Sequence, residues 1–212
     1  LISAETLDRM LAAKRGKGKP SVVVLGFRPR DPGAYGRLVT AKDGSLEAIV
    51  EAGEATQGER RIGLCNSGVM VVDGEHLFGL VEKVGCDNAK GEYYLTDIVA
   101  LALGLGLKAA FVEGDEEELI GINDRADLAV AEAILQSRLR GRAMNAGATL
   151  TDPSTVYFSA DTRVGRDVTI GPNVFFGPGV TVADNVEIKA FSHIEGASIA
   201  SGAVIGPFAR LR

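Results

Sequence analysis

The chain has 212 residues, 46% hydrophobic and 24% charged, with a formal net charge of −5. That length allows one large domain or two modest ones, and the composition is ordinary for a soluble globular protein. The acidic balance argues against a nucleic-acid or anionic-membrane surface as partner, and no run approaches the roughly 18 apolar residues of a membrane span. The first residues do not show the charged, apolar, small-residue pattern of a signal peptide. Cys65 and Cys86 are too few for a disulfide framework and lie in no metal-ligand spacing. Both are expected to be reduced, buried thiols of a cytoplasmic protein.

From the N-terminus, residues 3–6 lead into a short amphipathic helix with Leu7, Met10 and Leu11 on one face. A basic, glycine-containing loop, 14–19, follows. Residues 21–27 (SVVVLGF) form a continuous apolar run, the pattern of a strand buried on both faces. Residues 37–39 and 48–51 read as strands flanking the Asp43-Gly44 turn, and 62–72 as another strand ending at Asp73-Gly74. A helix is expected over 76–84, a loop over 85–91, a helix over 92–105 and a strand over 109–112. Strands and helices alternating in this way indicate an α/β layer. Asn123 and Asp124 can cap a helix over 125–145 whose apolar positions include Leu128, Ala131, Ile134, Leu135 and Leu139. Arg138, Arg140 and Arg142 near its end suit the helix dipole.

The last third follows a six-residue rule. Large apolar residues recur at Phe158, Val164, Ile170, Phe176, Val182, Ile188 and Ile194, then after one five-residue step at Ile199, Ile205 and Leu211. Four residues after most of these comes a small or β-branched side chain, from Val168, Val174, Val180 and Val186 to Ser192, Ser198, Ala203 and Ala209. Glycine or alanine directly follows many of them, as at Gly165, Gly171 and Gly177. A helix has no six-residue register, and an ordinary strand alternates every two. The period is that of hexapeptide repeats in a parallel β-helix. The chain begins without Met and stops at Arg212 in mid-repeat. An uncapped β-helix exposes unpaired backbone, so both ends are expected to be cut from a longer protein.

Several short segments carry chemical character. Tyr35-Gly36, in DPGAYGR (31–37), can let backbone approach a sugar closely, or can be a plain turn. Glu51 ends a strand and can accept sugar hydroxyls, or can be a solvated edge residue. Asn66, in CNSGVM (65–70), interrupts an apolar strand, so it is either a ligand contact or a satisfied bulge. GEYYLTDIV (91–99) opens a helix with polar and aromatic residues, and GIN (121–123) sets a side-chain oxygen before a helix, where capping is the simpler role.

In this order, and together with IVEAGEAT (49–56) and IGPFARLR (205–212), these segments closely resemble the bacterial bifunctional N-acetylglucosamine-1-phosphate uridyltransferase/glucosamine-1-phosphate N-acetyltransferases. The resemblance implies a partial Rossmann-like α/β nucleotidyltransferase domain over 1–122, a linker helix and joint over 123–150, and the start of a left-handed parallel β-helix acetyltransferase domain over 151–212. It implies acetyl transfer from acetyl-CoA to glucosamine 1-phosphate, then uridyl transfer from UTP to N-acetylglucosamine 1-phosphate. The products are UDP-N-acetylglucosamine, for peptidoglycan and lipopolysaccharide synthesis, and pyrophosphate. By motif, Gly36, Glu51 and Asn66 would contact the N-acetylglucosamine moiety, with Tyr94 and Thr96 lining its pocket. Asn123 would give an oxygen to Mg²⁺, and Arg212 would hold the acceptor sugar phosphate. The family is a cytoplasmic homotrimer.

No segment matches the family's glycine-rich nucleotide loop, its second Mg²⁺ ligand or its catalytic His; His76 and His193 read as structural or surface residues. The 212 residues alone are therefore expected to be inactive, with no catalytic residue assigned. Two alternatives stand beside this reading: another sugar-1-phosphate nucleotidyltransferase with a β-helix tail, and a non-catalytic trimeric scaffold.

Overall fold

Residues 1–88 and 90–212 are described by the computed structural model, and they divide into two units, Leu1–Ile122 and Asn123–Arg212. In the first, the Ser3 hydroxyl accepts the Thr6 amide and starts α1 (Ala4–Arg15). Its buried face runs through Thr6 and Met10, with Ala13 packed beside them, while Leu7 and Leu11 are exposed. Of the expected face, Met10 is buried, whereas Leu7 and Leu11 are replaced by their neighbours Thr6 and, one turn on, Ala13. The docked face follows Thr6, Met10 and Ala13, a spacing of four then three that lines one side of a helix.

Strands β1 (Val22–Phe27), β2 (Arg37–Thr40), β3 (Leu46–Val50), β4 (Cys65–Val72) and β5 (Ala109–Glu113) form one sheet in the order β3-β2-β4-β1-β5. Only β1 and β5 pair in parallel. Every residue of β1 is buried because both faces of the sheet are covered. Val22 and Val24 join one core with Leu38, Ile49, Leu64, Leu80, Ile98 and Ala102. Val23, Leu25 and Phe27 join Met10 and Cys65 in the other. Strand β4 begins later than expected, after a 3₁₀ turn over Glu59–Arg61. Helix α2 (Gly74–Val81) is capped by Asp73, whose carboxylate accepts the Glu75 amide. The expected helix over 92–105 shrinks to a 3₁₀ turn, Leu95–Asp97, and α3 (Ile98–Gly104). Of the expected loop 85–91, Ala89 lies outside the described residues. Cys65 is buried as expected, but Cys86 is exposed.

In the second unit the Asp124 carboxylate accepts the amides of Ala126 and Asp127 and opens α4 (Arg125–Asn145). Three parallel sheets follow, β7-β10-β13, β6-β8-β11-β14 and β9-β12-β15. Their strands are two residues each: β6 (Thr149–Leu150), β7 (Arg163–Val164), β8 (Thr169–Ile170), β9 (Phe175–Phe176), β10 (Thr181–Val182), β11 (Glu187–Ile188), β12 (His193–Ile194), β13 (Ser198–Ile199), β14 (Val204–Ile205) and β15 (Arg210–Leu211). Arg163 pairs with Thr181, eighteen residues on, and Thr181 with Ser198, seventeen on, so one coil is three hexads and the five-residue step shortens the next. This is a parallel β-helix, and its hexapeptide repeats fit the left-handed kind, against the usual right-handed crossover.

The repeat has a packing cause. Ile170, Phe176, Ile188 and Ile194 point inward with Val168, Val174, Val180 and Val186, all at 0–1% exposure. A Cβ on Gly171 would lie 2.8 Å from the Ala190 nitrogen, and one on Gly165 2.8 Å from the Ala183 carbonyl carbon. These glycines are where the next coil's backbone rests. Ser192, the one polar inward residue of this series, donates its hydroxyl to the Lys189 carbonyl at 2.9 Å. One inward position is corrected. The short step exposes Ser198 and turns Ala197 toward the core instead, where its carbonyl accepts the Thr181 amide.

Helix α4 packs on the first coils through Leu135, Leu139 and Ala143. Leu128, expected on this face, is 55% exposed, whereas Gln136 is 4% exposed. The buried amide is matched: Gln136 accepts the Phe158 N–H at 2.9 Å and donates to the Phe158 carbonyl at 2.7 Å. Arg140 donates to the carbonyls of Ser154 and Val156. A helix thus satisfies backbone that a terminal coil would leave open. His193 stacks on Phe175, and Phe175 on Tyr157, each pair 4.8 Å apart, as an outer ladder along one sheet.

Candidate functional site

The hairpin β2–β3 and the start of β4 bring distant motifs together in the first unit. Gly36 ends the DPGAYG loop, and its carbonyl accepts the Asn66 amide at 2.8 Å. A Cβ at Gly36 would stand 3.3 Å from Ile49 Cγ2 and 3.5 Å from both Glu51 carboxylate oxygens. The absent side chain therefore leaves a space directly before the carboxylate. Thr96, on the 3₁₀ turn, donates its hydroxyl to Glu51 Oε1 at 3.0 Å. Glu51 Oε2 accepts no hydrogen bond among the described residues. Four of the predicted residues, Gly36, Glu51, Asn66 and Thr96, thus form one cluster.

Asn66 opens the irregularity opposite Gly26, where the β1–β4 register shifts. Its Oδ1 accepts the Gly68 amide at 3.0 Å, and Ser67 donates to the Leu25 carbonyl at 2.7 Å. The bulge is satisfied by its own side chains. Asn66 nevertheless keeps its NH₂ group without a partner among the described residues. The cluster therefore offers one free carboxylate oxygen and one free amide donor, separated by a glycine.

Tyr94 is half-buried beside the cluster. Burial, then the carboxylates of Glu92, Glu54, Glu51 and Asp97, pushes its phenol up from the ordinary value. Burial and the nearby Glu54 push the Asp97 carboxyl up as well. Glu54 and Asp97 were not singled out from the sequence, although both lie inside the quoted motifs. Arg37 was missed too. It is 4% exposed and turns back to donate to the carbonyls of Pro32, Gly33 and Tyr35, holding the DPGAYG loop in shape. A cation closing a glycine- and proline-rich loop was the available signal. A cavity of about 1020 Å³ lined by Lys17, Gly18, Ser45 and Lys108 contains none of the predicted residues.

Asn123 and Arg212 belong to the second unit. Asp124 takes the capping role, so the exposed Asn123 side chain is free of hydrogen bonds among the described residues. No group of three or more His, Cys, Asp or Glu able to hold a metal exists among the described residues. No helix among them is long and apolar enough to cross a membrane.

The coils and the α/β unit define a class: residues 161–196 match the family model for the bacterial transferase hexapeptide, six repeats. Over 212 residues, 100% of its length, the chain is 61% identical to the bifunctional protein GlmU of Paramagnetospirillum magneticum, of which it covers 47%. It is 66% identical over 203 residues to that of Rhodospirillum rubrum, covering 96% of this chain and 45% of the relative. It is 54% identical over 211 residues to that of Ruegeria sp.. The chain belongs to this family of bifunctional proteins, and it spans about half the length of the curated relatives it matches.

Proposed function

We propose that these residues are part of an enzyme of UDP-N-acetylglucosamine synthesis with uridyltransferase and N-acetyltransferase activities. Residues 1–122 carry the sugar site of the nucleotidyltransferase domain, 123–150 the linker helix and joint, and 151–212 the first coils of the acetyltransferase domain. The observation that carries the reading is the Gly36–Glu51–Asn66–Thr96 cluster. Its free carboxylate oxygen suits a sugar hydroxyl, its amide donor suits the acetamido carbonyl, and the glycine space admits the ring.

In uridyl transfer, an oxygen of the sugar phosphate attacks the α-phosphorus of UTP and pyrophosphate leaves. Glu51 and Asn66 orient the sugar so that its phosphate lies in line, which lowers the barrier by positioning. Asn123 would offer Mg²⁺ one hard oxygen ligand, and the bound ion would supply charge neutralisation at the phosphates. In acetyl transfer, the amine nitrogen of glucosamine 1-phosphate attacks the thioester carbonyl of acetyl-CoA, the C–S bond breaks, and CoA leaves as the thiol with the proton the amine gives up. Arg212 holds that substrate's phosphate with its two-pronged donor. The enzyme is a cytoplasmic homotrimer joined through its β-helix, and nucleic acid and membrane are not its partners. The 212 residues alone turn over neither reaction.

Product analysis tests this. The protein as encoded, given UTP, Mg²⁺ and an equimolar pair of sugar phosphates, should make UDP-N-acetylglucosamine well ahead of UDP-glucose. The isolated 212 residues should make none. A preference for glucose 1-phosphate would favour the second nucleotidyltransferase reading, and turnover by the isolated chain would sink the inactivity claim.

A further inference from the structure

We infer that Thr96 is a positioning residue of the sugar site, acting on the sugar only through Glu51. A carboxylate can only accept, so in the Thr96–Glu51 hydrogen bond of 3.0 Å the hydroxyl proton is committed to Oε1. Thr96 is 8% exposed, which leaves it little surface to offer a ligand. Its backbone is held by the turn Leu95–Asp97, continuous with α3, whose Ile98, Val99 and Ala102 are at 0% exposure. The Glu51 backbone is held just past β3, where its carbonyl accepts the Glu54 and Ala55 amides, but its side chain has one hydrogen-bonded partner among the described residues, Thr96. A carboxylate on two rotatable carbons would otherwise sample many rotamers. With Oε1 fixed, Oε2 remains the oxygen free to accept a sugar hydroxyl, and the Gly36 space lies before the carboxylate. The turn carrying Thr96 is also the segment that sets Tyr94 and Asp97 beside the cluster.

The inference rests on the sugar-site reading above, and a double-mutant cycle separates the two. Affinity for N-acetylglucosamine 1-phosphate is measured by titration calorimetry on the protein as encoded, with melting temperature followed for every variant. Glu51→Ala should weaken binding roughly tenfold or more, because it removes a charge-assisted hydrogen bond. Thr96→Val, which keeps the shape and removes the hydroxyl, should weaken it roughly fivefold to tenfold. Thr96→Ser, which restores the hydroxyl, should stay within about twofold of the parent. In the Glu51→Ala background, Thr96→Val should add less than about twofold, since nothing remains to be positioned. Equal losses from Thr96→Val in both backgrounds would show direct contact or a purely structural role and overturn the inference, leaving the sugar site intact. An unchanged affinity in Glu51→Ala would overturn the sugar-site reading and this inference with it.

Discussion

Gln136→Met is expected to loosen the start of the β-helix by about 2–5 kcal/mol, the combined cost of two buried backbone groups left without partners. The substitution keeps length and apolar packing but removes both hydrogen bonds to Phe158, whose side chain is 3% exposed. Neither the Phe158 N–H nor its carbonyl can then reach water without the helix moving away. Because two units unfold in one chain, a single melting curve is a poor reporter. Amide exchange in the coil residues 149–182 reads the effect directly. Their protection should fall while that of β1 holds. Leu128→Ala, at a position 55% exposed on the same helix, is the control and should change stability by less than about 0.5 kcal/mol.

Gly171→Ala should have a comparable effect for a different reason. The new methyl would meet backbone atoms of the next coil at 2.8 and 3.3 Å, and no flexible side chain is there to yield. Overpacking of this kind costs roughly 1–3 kcal/mol, and here the coil stack itself must open. Gly141→Ala points the other way. It lies inside α4 with nothing within 4 Å of its Cβ, so the gain in helix propensity should add about 1 kcal/mol. Urea titration followed by coil amide exchange should rank them Gly141→Ala, parent, Gly171→Ala. The reverse order would mean that coil spacing does not set the glycine pattern.

The β-helix was legible in the sequence because its signal is periodic: every hexad repeats the same inward, inward, turn instruction, and no other regular structure shares that period. The error fell where the period broke. Counting four residues on from Ile194 picks Ser198, whereas the five-residue step shifts the inward position to Ala197. Short helices were less legible. Leu7, Met10 and Leu11 suggested one apolar face, but packing against the sheet buries Thr6 with Met10 and leaves both leucines exposed. Gln136 left no trace in the sequence and Arg37 only a weak one, for a shared reason. Their burial is decided by partners, Phe158 and the carbonyls of 32–35, whose positions only the fold supplies. The candidate site was readable as a set of motifs and not as a place. Gly36, Glu51, Asn66 and Thr96 are spread over sixty residues; the antiparallel pairing of β2 with β3 and β4 makes the first three neighbours, and the 3₁₀ turn before α3 brings Thr96 to Glu51.

The most direct measurement of the central claim is a calorimetric titration of N-acetylglucosamine 1-phosphate, with glucose 1-phosphate beside it, into the protein as encoded and into Gly36→Ala. Saturable binding that favours the N-acetyl sugar is the expected result, with a loss of roughly tenfold in Gly36→Ala, because a methyl would fill the space before Glu51. Equal affinity for both sugars, together with no response to Gly36→Ala, would contradict it.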